Sequence, residues 1–120
     1  MRSGLIALTC GIGLLPAIVG PVQAAPCSEP ETGGSAAPMF SPPVNSVVIG
    51  TGRLQFYSAP STQCALKGVF IIPNDQVVTY AETKDGWSSV MYVNPRTGND
   101  VSGWVRSERL KATGTLGPRQ

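Results

Sequence analysis

The chain has 120 residues, with nine Lys and Arg against seven Asp and Glu, a formal net charge of +2, three cysteines and no histidine. That length holds one small domain at most. A near-neutral chain without a basic stripe has no electrostatic support for nucleic-acid binding, and the lack of histidine removes the commonest general base, the commonest metal ligand and the usual partner of a nucleophilic Ser or Cys.

Arg2 is the only charge before Glu29, and residues 5–22 are apolar or small. A positive start, an apolar middle and small residues at a cut point are the marks of a secretory signal. Val22 and Ala24 stand three and one residues before a cut placed after Ala24, whereas a cut after Ala25 would set Pro26 directly behind the scissile bond. The run is near the length that spans a bilayer. Gly11, Gly13, Pro16, Gly20 and Pro21 make it a poor permanent helix, however, and no basic stop-transfer cluster follows. Cys10 is poorly placed for lipid attachment, because Ala7 and Thr9 do not suit the positions before such a cysteine. The sequence therefore predicts a signal peptide over 1–24 and a periplasmic or secreted protein with no stable membrane span. Once Arg2 is removed, eight basic side chains face seven acidic ones.

Residues 25–46 are dominated by Pro, Gly, Ser and Ala with no apolar period, and are expected to be an irregular arm. Cys27 lies in this arm, and its only remaining companion is Cys64. An isolated pair in an oxidising compartment becomes a disulfide, within one chain or between two. Two cysteines without histidine make an incomplete zinc site, so no metal or cofactor is expected.

From residue 47 the pattern changes to short β-type runs separated by turn residues. Val47, Val48 and Ile49 end at Gly50-Thr51-Gly52. Residues 53–58 alternate Leu54 and Phe56 against Gln55 and Tyr57 and stop at Ala59-Pro60-Ser61. Residues 69–72 are apolar and close at Pro73-Asn74-Asp75. Residues 76–83 are rich in β-branched and aromatic side chains, with both faces partly apolar, so either register is open: Val77, Thr79 and Ala81 share one face, and Val78, Tyr80 and Glu82 the other. Residues 87–93 form another run, 94–100 a turn cluster, and 103–105 a last short strand before one helical turn at 107–110. Residues 113–120 are expected to be a flexible tail. Short strands at close spacing indicate a small barrel or sandwich.

Taken together, Leu54-Gln55-Phe56-Tyr57-Ser58-Ala59-Pro60-Ser61, Asn74-Asp75-Gln76-Val77-Val78-Thr79, Gly86-Trp87-Ser88-Ser89-Val90, and Gly103-Trp104-Val105 running on to Leu110 resemble, in order and spacing, the bacterial Src-homology-3 domain. The resemblance covers 53–111. It implies an all-β, five-stranded Src-homology-3-like barrel over 47–112, acting as a binding module for a cell-wall peptide or a partner protein. The departures are Tyr57 in place of the usual Arg, Cys64 in the loop 61–68, and a long hairpin loop at 94–100. The expected core is Leu54, Phe56, Val69, Ile71, Val90, Trp104 and Val105.

Candidate ligand-binding residues are the aromatics Tyr57, Tyr80, Trp87 and Tyr92. Tyr57 is expected to point out of the barrel if Leu54 and Phe56 point in. The two tryptophans each follow a glycine that lets strands come close, and Trp104 is read as packing rather than binding. Asp75, Asp85 and Asp100 lie in turns, where Asp bonds its own backbone. Ser58, Ser61, Ser88 and Ser89 lack a base. The expectation is therefore a non-catalytic exported binding module. The alternative is a small inhibitor or immunity-type protein that blocks a toxin or wall hydrolase.

Overall fold

The structure, a computed structural model, describes residues 27–115. The signal peptide expected over 1–24 and residues 116–120 of the tail lie outside the described residues. Among the described residues seven strands run in chain order: β1 (Met39–Val48), β2 (Leu54–Tyr57), β3 (Ala65–Ile71), β4 (Gln76–Glu82), β5 (Trp87–Val93), β6 (Asp100–Arg106) and β7 (Leu110–Thr115). Single 3-10 turns at Thr62–Cys64 and Ser107–Arg109 precede β3 and β7. All pairings are antiparallel. They form one sheet in the order β3-β2-β6-β5-β4-β1-β7.

The all-β expectation holds, but the five-stranded closed barrel does not: there are seven strands, and the pairing order is open, with β3 and β7 at its edges. Two elements account for the difference. β1 begins at Met39, inside the segment read as an arm, and β7 continues to Thr115, inside the segment read as a tail. The prolines of β1 hid it. Proline cannot donate to a ladder and belongs at bulges. Here the β1–β4 register jumps from Met39↔Ala81 to Val44↔Thr79, and Pro42 and Pro43 fall in the jump, where no ladder bond is asked of them. The folding unit therefore includes residues 39–46, because Val44, Asn45 and Ser46 pair with both β4 and β7.

The sheet curls around its inner face. Val48, Leu54, Phe56, Ile71, Val77, Val90 and Val105 are buried together, with Leu66, Val69, Tyr92, Val101 and Leu110 packed against them. This cluster draws on both edge strands, which a flat sheet could not bring to one core. Alternation dictates the membership: Leu54 and Phe56 face in on β2, Val90 on β5, and Val105 on β6.

The open register of β4 resolves in a way that neither alternative contains. Val77 and Thr79 are buried on the inner side, but the β4–β5 pairing slips between Thr79↔Val90 and Ala81↔Ser89. One extra residue on β4 inverts the alternation beyond it. Ala81 thus joins the opposite face, among Trp87 and Trp104, and Glu82 returns to the inner side, across from Ser88.

Gly103 is required for a close approach. A Cβ there would lie 2.9 Å from both the Tyr57 carbonyl oxygen and the Phe56 ring. Gly86 differs: its φ of +91° is what its turn needs, and the space beside it is open apart from the Arg106 guanidinium at 3.7 Å. Gly103→Ala is expected to push β2 from β6 and destabilise the domain by about 1–3 kcal/mol. Urea unfolding checks this, and an unchanged midpoint would show that the strands are not in contact there.

Candidate binding groove beside a disulfide-anchored strap

The second face of the sheet carries Trp87 and Trp104, side chains too large and apolar to leave in water. Both are nonetheless buried, at 3% and 0% exposure. The cover is the segment 27–38, which we call the strap. Cys27 is disulfide-bonded to Cys64 within the chain, with the Cα atoms 5.5 Å apart. At its other end the strap runs directly into β1. Between these anchors, Ala37 is fully buried against Ala81, Trp87 and Trp104. The indole N–H of Trp104 donates to Glu29 Oε1 at 2.7 Å, so a buried donor finds an acceptor on the strap. Within the strap, the Gly33 N–H donates to the Ala37 carbonyl at 2.8 Å and the Gly34 N–H to the Glu31 carbonyl at 3.0 Å, which folds it compactly. The disulfide is a bond that an oxidising compartment sustains, in agreement with export. No helix among the described residues is long and apolar enough to cross a membrane.

Tyr57 points away from Leu54 and Phe56, as alternation requires, but the face it joins is not open. It is half-buried, and its ring meets Trp87 edge-on with centroids 4.8 Å apart. The Arg106 guanidinium lies 4.6 Å from the centre of the Trp87 ring. The structure therefore brings Tyr57 and Trp87 together as packing under the strap. Tyr80 is half-buried on β4. Tyr92 packs against the inner core and lines a separate groove of about 360 Å³ with Asn74, Asp75, Gln76, Val93 and Pro95. The four aromatics do not converge on one surface.

A groove of about 660 Å³ lies instead along the strap. Ser28, Glu29, Pro30, Ser35 and Ala36 form one side, Thr83, Lys84 and Asp85 the other, with Pro60 completing the lining. The turn side is held in place: Thr83 Oγ1 donates to Asp85 Oδ1 at 2.6 Å and accepts from the Trp87 N–H at 3.1 Å. The groove offers apolar ring surfaces, hydroxyls and charges of both signs on a frame already ordered. Such a surface suits a peptide, since little ordering remains to be done on binding. Sequence reading missed Glu29, Pro30, Lys84 and Asp85. The usable signal was Cys27: a cysteine in a Pro-rich arm, paired with a loop cysteine, forces the arm to lie on the domain.

Comparison with protein-family models, with curated proteins and with solved structures returned no match.

Two substitutions test the strap. Glu29→Ala leaves the Trp104 indole N–H without its acceptor and is expected to destabilise the domain by about 1–2 kcal/mol, with Glu29→Gln close to wild type because its amide oxygen still accepts. Equal effects of Ala and Gln in thermal unfolding would dismiss the bond. Tyr57→Ala, which removes a half-buried ring packed edge-on against Trp87, is expected to destabilise by about 2 kcal/mol. A loss below about 0.5 kcal/mol would place Tyr57 on a free surface.

Proposed function

We propose that this chain is an exported, non-catalytic binding module that holds a peptide of the cell wall in the groove between the strap and the turn at 83–85. The observation that carries the reading is the groove itself: about 660 Å³, lined by Pro30, Pro60, Ser28, Ser35 and the opposed charges Glu29, Lys84 and Asp85. Wall peptides are short, zwitterionic and poor in large side chains, which matches a groove of small residues with charges of both signs. The resemblance of 53–111 to bacterial Src-homology-3 domains supports the same reading. The composition supports it too: a chain without histidine whose serines lack a base is poorly furnished for hydrolysis.

A second reading, an inhibitor or immunity-type protein, draws on a different surface. Phe70 and Ile72 are exposed at 37% and 50%, and the Arg53 guanidinium sits 4.1 Å over the Phe70 ring. An aromatic paired with arginine on an edge strand is the kind of anchor that protein interfaces use.

Sedimentation with purified peptidoglycan separates the two. The wall reading predicts that the exported chain pellets with peptidoglycan and that Lys84→Glu reduces the pelleted fraction several-fold without altering thermal unfolding. A chain that stays in the supernatant, while a Phe70→Ala-sensitive protein partner co-purifies from the periplasm, would reverse the order of the readings.

A further inference from the structure

The inner face of the sheet changes character along three neighbouring strands. Stepping two residues along each, Val48 gives way to Ser46 on β1, Val77 to Thr79 on β4, and Val90 to Ser88 on β5. These hydroxyls are nearly as buried as the valines, at 4%, 4% and 3% exposure. They line a recess of about 160 Å³, together with Ser107, Glu82, Phe40, Val44, Leu110 and Ala112. The hydroxyls bond in pairs: Ser46 Oγ with Thr79 Oγ1 at 3.1 Å, and Ser88 Oγ with Ser107 Oγ at 2.7 Å. Each pair uses one of its two O–H groups and one of its four lone pairs, so most of the accepting capacity is left over. Burying hydroxyls with capacity unfilled is unfavourable unless something polar enters.

Glu82 gives the recess its sign. Without the slip in β4 it would share a face with Val78, turned away from Thr79. The extra residue between Thr79 and Ala81 turns it to the inner side, and bulges are a recognised means of re-aiming a side chain. Among the described residues, no basic side chain lines the recess.

We propose that this recess is a binding site for a primary ammonium on an aliphatic stem, of the kind a lysine-type side chain of a peptide presents. The chemistry of the lining selects that group. An ammonium carries three donors and no acceptor, and meets hydroxyl lone pairs and one carboxylate. Phe40, Val44, Leu110 and Ala112 offer apolar wall to the methylenes. An acidic group is repelled by Glu82, and a purely apolar one leaves the remaining capacity of the paired hydroxyls unfilled. The volume accommodates an ammonium with three or four methylenes. The site deepens the peptide-binding reading above and rests on it: Glu82 of the recess is the chain neighbour of Thr83, which lines the strap groove.

The test is titration of the isotope-labelled exported chain, followed by amide chemical shifts, with Nα-acetyl-lysine amide as the probe and Nα-acetyl-norleucine amide as its uncharged counterpart. Saturable shifts confined to the amides of Ser46, Thr79, Glu82, Ser88 and Ser107 with the lysine probe, and none with norleucine, are expected. Glu82→Gln, on an exposed position that folding tolerates, should weaken the lysine probe roughly three- to tenfold. Thr79→Val, which keeps the shape and removes one hydroxyl, should weaken it as well, with thermal unfolding as the control. No saturable shift, equal response to both probes, or indifference to Glu82→Gln overturns the proposal. If the chain still pellets with peptidoglycan in that event, the recess assignment fails and the wall reading stands; if it does neither, both fail.

Discussion

A single sheet with two apolar faces must have both of them covered, and the rest of this structure depends on how that is done. The inner face covers itself by curling, so that side chains from all of β1 to β7 meet in one cluster. The outer face cannot do the same, because curling spreads it. Trp87 and Trp104 would remain in water there, at a loss of roughly 25 cal/mol for each Å² of apolar surface left exposed. The strap supplies the missing layer, with Ala37 seated on the tryptophans and Glu29 accepting from the indole. A segment so poor in apolar side chains has little hold of its own. The Cys27–Cys64 bond, linking residues 37 apart, reduces the entropy of the unfolded chain by an amount worth up to about 3–4 kcal/mol in the loop-closure account, which is what keeps such a segment in place.

The one-residue slip in β4 links the two faces. It delivers Ala81 to the strap side, where only a small residue leaves room for Ala37 and both indoles, and it sends Glu82 back to the hydroxyl-lined recess. Groove and recess therefore share one cause, and both gather near the end of β4. The conformation of the following turn, closed by the Thr83 hydroxyl and by Gly86 at positive φ, sets the far wall of the groove.

Much of the strand content was legible in the sequence, since alternation marks β2, β-branched and aromatic side chains mark β4, and turn residues punctuate the runs. Leu54, Phe56, Ile71, Val90 and Val105 lie in the inner core as expected and Val69 packs against it, but Trp104, expected beside them, faces the strap, because neighbours on a strand point to opposite sides. The first half of β1 was not legible: Pro42 and Pro43 contradict a strand unless the bulge that absorbs them is known, and a bulge leaves no periodic mark. The slip in β4 was hidden for the same reason, and with it the faces of Ala81 and Glu82. For the candidate site, the pairing of Cys27 with Cys64 could be read from their isolation once the expected signal and an oxidising compartment are granted, but not that the bond closes within one chain. The consequence of that pairing, that the arm lies over the aromatics and encloses Tyr57 and Trp87, needed the geometry. Aromatic residues on an outward face suggest a binding platform only while nothing else covers them, and here the covering segment carries no apolar period to announce itself.

The central claim is that residues 27–38 are a structural layer over the two tryptophans. Acrylamide quenching of tryptophan fluorescence tests it directly, comparing the chain from residue 25 onward with a form lacking residues 25–38 and carrying Cys64→Ser, so that β1 is intact and no free thiol remains. The account predicts weak quenching and blue-shifted emission in the intact chain. It predicts strong quenching and red-shifted emission in the shortened one, with the β-type far-ultraviolet dichroism retained. Equal quenching of the two forms would contradict it, because the tryptophans would then owe their burial to something other than the strap.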